Sequence, residues 1–171
     1  MRRSSCNGTK VVLSTLQYLP LKMRSRALLF AAILLLPFIL LSFSASNTNV
    51  VKDVFKQTNQ FRRSKGLNQL VMLDQLNAIA RKHSENMARG RVAFGHQGFY
   101  QREALEKKKI KGVSTFGENV AYGPTSGKQV VLMWEKSPGH RRNLLGPFKY
   151  IGIGIAKDKQ GRIYYTQVFA G

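Results

Sequence analysis

Cysteine is almost missing from this chain: of 171 residues only Cys6 is one. No disulfide can form within it, so any core must hold by packing alone. The metal signatures built on local spacing are missing too, with no HExxH pair on one helix turn and no CxxC. Acidic residues are scarce, 8 Asp and Glu against 28 Lys and Arg, for a formal net charge of +20. No internal repeat or low-complexity segment is present.

Long apolar runs are also lacking, with one exception from Ala27 to Phe43. At ~1.5 Å of helical rise per residue that run reaches about 25 Å, short of a ~30 Å hydrocarbon core. Lys22, Arg24 and Arg26 precede it and Ser44-Ala45-Ser46 follow, which is the order of a secretory signal. The expectation is a leader over residues 1–46, cut after Ser46, that leaves the domain secreted or periplasmic. The alternative is an uncleaved signal anchor holding the domain outside the cytoplasm, since a membrane helix can accommodate Pro37. Met23 opens a leader of more ordinary length than Met1 does.

Residues 47–171 have the size of one domain, expected as a monomer. Six of the 28 basic residues precede the apolar run and none falls in 27–46, so 22 face all 8 acidic ones, a net +14. Such a surface favours anionic partners: a cell-wall polymer, lipid or a membrane surface. Nucleic acid is not expected, because export removes the chain from most of it and the run Lys107, Lys108, Lys109, Lys111 has no interleaved aromatics.

Helical spacing of Val51, Val54, Phe55 and Phe61 predicts a first helix ending before Gly66. A second is predicted from Asp74, a plausible N-cap, to about Gly90, with Leu76, Ile79, Ala80, His83 and Met87 on one face. His83 on that face reads as a hydrogen-bonded packing residue. An irregular connection over 92–100 leads to a short, exposed helix from Gln101 to Lys109. Glu118 to Tyr122 reads as a strand, Ser126 caps a helix bearing Val130, Val131 and Trp134, and Ser137 is the expected helix cap before Pro138. Alternation at Ile151, Ile153 and Ile155 and the β-rich 162–169 segment predict a hairpin. Gly152 and Gly154 leave one face of its first strand bare for a helix to approach. Helices gathered ahead of a terminal hairpin indicate an α+β domain with a small antiparallel sheet.

The polar residues left over are His96 on a glycine-flanked loop, Glu118 at a strand start and His140 in the first turn of a helix. If they converge, two imidazoles and a carboxylate form a plausible divalent-metal set. The helix start also disfavours imidazolium at His140.

These residues, taken in order, resemble a family. Asn59 to Gly66, the helix Leu76 to Met87, His96, Gly117-Glu118-Asn119, Trp134 with Ser137-Pro138-Gly139-His140-Arg141, Ile151-Gly152-Ile153-Gly154 and Tyr165-Thr166-Gln167-Val168-Phe169 look like a bacterial member of the CAP superfamily, or SCP domain, of cysteine-rich secretory, antigen 5 and pathogenesis-related 1 proteins. The resemblance covers roughly Val50 to Phe169. It implies an α-β-α sandwich with a cleft in which two histidines and two glutamates can hold a divalent metal. By position these are His96, His140 and Glu118. The second glutamate falls at Ser137, and Glu135, one residue after Trp134, is turned about 100° off that helix face. The implied site is therefore reduced to His96, Glu118 and His140, with Asn119, Ser137 and Arg141 lining the cleft. Zinc or another divalent cation would be weakly held there. The resemblance ties members to sterol or fatty-acid binding and to protein interactions, with no common reaction. The expected function is an exported binding module whose cleft takes a metal and a small, lipid or polymeric ligand, and catalysis is not favoured. The alternative is a metal-dependent hydrolase of extracytoplasmic substrates, with Glu118 as the base that activates water.

Overall fold

The computed structural model describes residues 49–171, which lie within one compact unit, Ser46–Gly171. Along the chain come helix α1 (49–64), strand β1 (Val71–Met72), α2 (Asp74–Ala88), α3 (Phe99–Lys109), β2 (Phe116–Tyr122), α4 (Gly127–Lys136), α5 (Pro138–Leu144), β3 (Tyr150–Lys157) and β4 (Ile163–Ala170). The expected leader, its apolar run and its cut after Ser46 lie outside the described residues. Among those described, no helix is long and apolar enough to cross a membrane.

Period-two alternation in the last two strands sets the layers. Ile151, Ile153 and Ile155 of β3 join Tyr165 and Phe169 of β4 on one face, where Val54 and Phe61 of α1, Val130, Val131 and Trp134 of α4, and Leu144 of α5 bury them. On the other face Leu76, Ile79 and Ala80 of α2 pack against Val168 and Ala170. Helices thus cover both faces of one sheet, an α-β-α sandwich.

The sheet order is β1-β3-β4-β2. The hairpin β3–β4 is antiparallel from Tyr150↔Ala170 to Lys157↔Ile163, and β2 joins β4 antiparallel from Phe116↔Ala170 to Tyr122↔Tyr164. The sheet is nevertheless mixed, because β1 lies parallel to β3 at Val71↔Tyr150 and Met72↔Ile151. Two residues carry no readable alternation, which is why the sequence predicts only antiparallel pairing.

Two helix ends differ from expectation. Asp74 is the first residue of α2 rather than its cap; Leu73 holds the cap position with no side-chain bond. The Asp74 carboxylate still sits in the first turn, where the helix dipole favours it, and accepts from Asn77 Nδ2 at 3.3 Å. The third helix starts at Phe99, earlier than expected, and is not exposed all round, since Glu106 is buried within it.

Gly152 and Gly154 let α2 lie directly on β3. A Cβ on Gly154 would overlap the backbone of Ala80 and Arg81, and one on Gly152 the backbone of Leu76. Neither helix nor strand can yield there without separating the layers. Gly154→Ala is therefore expected to cost about 3 kcal/mol or more, as overpacking of a rigid contact does, read as a lowered urea midpoint. Gly139→Ala, with open space around it, should change little; equal midpoints for both variants would contradict this packing.

Candidate functional site

Strand β2 forms an edge of the sheet, so the two helix layers meet beside it. Alternation sends Glu118 to the α2 face, level with Val168, and Asn119 to the opposite face, level with Gln167. Neighbours in sequence therefore serve different layers.

On the α2 side the Glu118 side chain is 1% exposed and its carboxylate accepts three N–H bonds. Arg102 donates from Nε to Oε2 at 2.6 Å and from Nη2 to Oε1 at 2.7 Å. His96 Nδ1 lies 2.9 Å from Oε1, and against an ionised carboxylate it must be the donor. Burial pushes the Glu118 carboxyl up, but the bonds from His96 and Arg102, then the charge of Arg102 and the nearby His83 ring, outweigh it and hold the group below its ordinary value. The carboxylate stays ionised.

The loop bearing His96 is held from behind. His83, buried on α2, lies with Nε2 2.8 Å from the Gly95 carbonyl, so Nε2 carries the proton, and 4.0 Å from Glu118 Oε1. Burial, first among several causes, lowers the His83 pKa, which suits a neutral donor. Arg102 adds bonds from Nη1 to Gln97 O at 2.8 Å and from Nη2 to His96 O at 3.5 Å. One guanidinium thus ties α3, the 96–98 loop and β2 together.

On the other side Asn119 is fully buried rather than lining the cleft as expected. Its Nδ2 bonds His140 O at 3.2 Å and Gln167 Oε1 at 3.4 Å, and Gln167 Nε2 bonds Thr58 at 2.8 Å. Asn143 of α5 donates 2.9 Å bonds to Asn119 Oδ1 and to the Glu118 carbonyl. A carbonyl at an edge strand is thereby satisfied by a helix side chain. Gly117 leaves room for this, because a Cβ there would press on Phe148 and Asn143.

Ser137 holds the cap position of α5, but its hydroxyl makes no cap bond and instead lies 2.8 Å from His140 Nδ1. The helix-cap role expected of its side chain is replaced by positioning the ring. Burial, then the neighbouring His96, lowers the His140 pKa, so the two imidazoles sit within electrostatic reach. Glu135 enters none of these bonds.

A cavity of about 680 Å³ opens over the site, lined by His96, Gly98, Phe99, Tyr100, Gln101, Phe116, Gly117, Glu118 and Asn143. Arg141, expected in this cleft, instead lines a second cavity of about 660 Å³ with Pro138 and Phe148 and stacks its guanidinium over Phe61 at 5.1 Å.

The sequence over residues 55–169 matches the model of the CAP family, the cysteine-rich secretory protein family. The chain belongs to the CAP family. Among CAP relatives, YkwD of Bacillus subtilis is 37% identical over 123 residues, 70% of this chain and 46% of YkwD. An extracellular protein with an SCP domain from Bacillus anthracis is 27% identical with a TM-score of 0.62, over 72% of this chain and 40% of that one. A cysteine-rich secretory protein from Staphylococcus aureus is 26% identical with a TM-score of 0.58, over 72% and 39%. The chain therefore spans less than half the length of these relatives.

Of the three residues expected as CAP metal ligands, His96 and Glu118 bond each other, while His140 bonds Ser137. Among the described residues no group of three or more His, Cys, Asp or Glu is placed to hold an ion. The donor set does not fit a divalent metal, because Arg102 already brings a cation to both Glu118 oxygens. Arg102 is also what sequence reading missed: nothing in the spacing links position 102 to position 118.

Glu106, one turn beyond Arg102, is 3% exposed. Burial, then Glu118 and Glu103, raise its pKa against the opposing effect of Arg102, to about 8. An acid whose folded pKa is raised loses stability as pH climbs from its unfolded value near 4.5 to about 8. Glu106→Gln should match the native chain near pH 4.5 and exceed it by on the order of 3 kcal/mol at pH 8. Melting temperatures across that range measure the gap, and a gap independent of pH would contradict the burial of this carboxyl.

Proposed function

We propose that this domain is an exported, non-catalytic binding module whose cleft takes a small, lipid or polymeric ligand. The observation that supports this most is the state of Glu118. Its carboxylate is buried, ionised and already the acceptor of three N–H bonds, so it has little capacity left to take a proton from water. His140 and Ser137 form a pair, but among the described residues no carboxylate orients the His140 ring. A nucleophile and base without that third group are weakly equipped for acyl transfer.

The cleft wall supports a recognition role. Phe99, Tyr100 and Phe116 offer apolar faces, and His96 and Asn143 offer polar groups, the mixture that fixes a ligand with both an apolar face and hydrogen-bonding groups. The basic surface draws the domain to anionic wall polymer or membrane. Export accords with the leader expected over residues 1–46 and with the B. anthracis relative being described as extracellular.

The test is turnover. The full chain with peptidoglycan, and with p-nitrophenyl esters, is expected to match the buffer background, native and His140→Ala alike. Sedimentation with cell walls should persist at low salt and fall as ionic strength rises. Turnover that His140→Ala abolishes would make the domain a hydrolase; wall binding undiminished by salt would remove the electrostatic part.

A further inference from the structure

The contacts of Glu118 carry a conclusion about metals in this cleft. A carboxylate has about four lone-pair positions, and three are taken: one on Oε2 by Arg102 Nε and two on Oε1 by Arg102 Nη2 and His96 Nδ1. The fork of the guanidinium matches the two oxygens as a planar bidentate pair, which a point-charge cation cannot reproduce.

The His96 ring adds a geometric bar. Its Nδ1 is spent on Glu118, so only Nε2, 51% of that side chain being exposed, is open to an ion. Zinc bound there at ~2.0–2.1 Å would lie across the ring from Glu118 Oε1, beyond the ~2.0–2.2 Å that a zinc–carboxylate bond requires. The His83 nitrogen that faces Glu118 cannot substitute, since this Nε2 carries a proton given to Gly95 O and has no lone pair for an ion. A second cation placed against Glu118 would also meet the charge of Arg102.

We infer that the Arg102 guanidinium takes the place of a divalent metal against Glu118, so that this CAP cleft carries its cation as a side chain and needs no ion. Arg102 is a positioning residue in this account. It holds Glu118, and through the Gln97 and His96 carbonyls it holds the loop that presents His96 to the cavity. The inference goes beyond the binding-module reading, and a metal-free cleft could still lack a wall ligand.

Zinc titration of the purified full chain tests it, read by bound zinc and by melting temperature together. The native chain is expected to hold less than about a tenth of an equivalent at this site and to keep its melting temperature. Arg102→Met, which frees two Glu118 lone-pair positions and releases the Gln97 and His96 carbonyls so that the loop can turn the His96 ring, is expected to be raised in melting temperature by zinc. Glu118→Gln separates this site from others: zinc retained unchanged by that variant sits elsewhere and leaves the inference standing. One equivalent held by the native chain and lost with Glu118→Gln would overturn it, as would a folded Arg102→Met that ignores zinc. If Arg102→Met does not fold, the native and Glu118→Gln titrations decide alone.

Discussion

A carboxylate taken out of water must be met by positive charge and by N–H donors, or the structure around it opens. Glu118 is in that position, and the way its demand is met shapes the cleft. Arg102 comes from α3, His96 from the loop before it, and His83 stands behind that loop on α2. Each is placed by a different element, so the single buried charge fixes how those elements sit on β2. Removing one partner of such a pair typically costs about 3–5 kcal/mol, because the other is left charged and unpaired.

The opposite layer is joined to the same strand by neutral groups. Thr58, Gln167, Asn119 and Asn143 run from α1 across β4 and β2 to α5, each hydrogen-bonded to the next. A network satisfied in this way is rigid, and through the His140 carbonyl it fixes the helix that bears His140 and Ser137. The two faces of β2 thus use different chemistry, ionic on one and amide on the other. Both converge on the strand edge, where the cavity lies. Glu118, with three N–H bonds already on its carboxylate, lies where the two meet, and that state is what the proposed binding role rests on.

Much of this fold was legible in the sequence because burial imposes a period. The isoleucines of β3, the apolar face of α2 and the Trp134 helix all announce themselves by spacing, and the bare glycine face of β3 correctly foretold a closely packed helix. What failed was either too short or too distant to carry a period. Strand β1 has two residues, and Asn119 and Arg141, expected in the cleft, are sent elsewhere by the pleat of β2 and the turn of α5. The site was half legible. A glycine-flanked loop, a strand start and a first helix turn mark His96, Glu118 and His140 in the sequence, and of these His96 and Glu118 meet. Arg102 was hidden, since a surface-looking basic helix gives no hint that one of its arginines faces inward to a carboxylate sixteen residues on. The same helix conceals Glu106, whose burial no local pattern shows.

The claim at the centre of this account is that Arg102 and Glu118 act as one unit. A double-mutant cycle on unfolding free energy, with Arg102→Met, Glu118→Gln and the pair together, measures that unit directly. The account predicts a coupling of about 2 kcal/mol or more, with the double variant far less damaged than the sum of the single ones. Additive losses, with coupling below about 0.5 kcal/mol, would mean that the two side chains are neighbours without being partners.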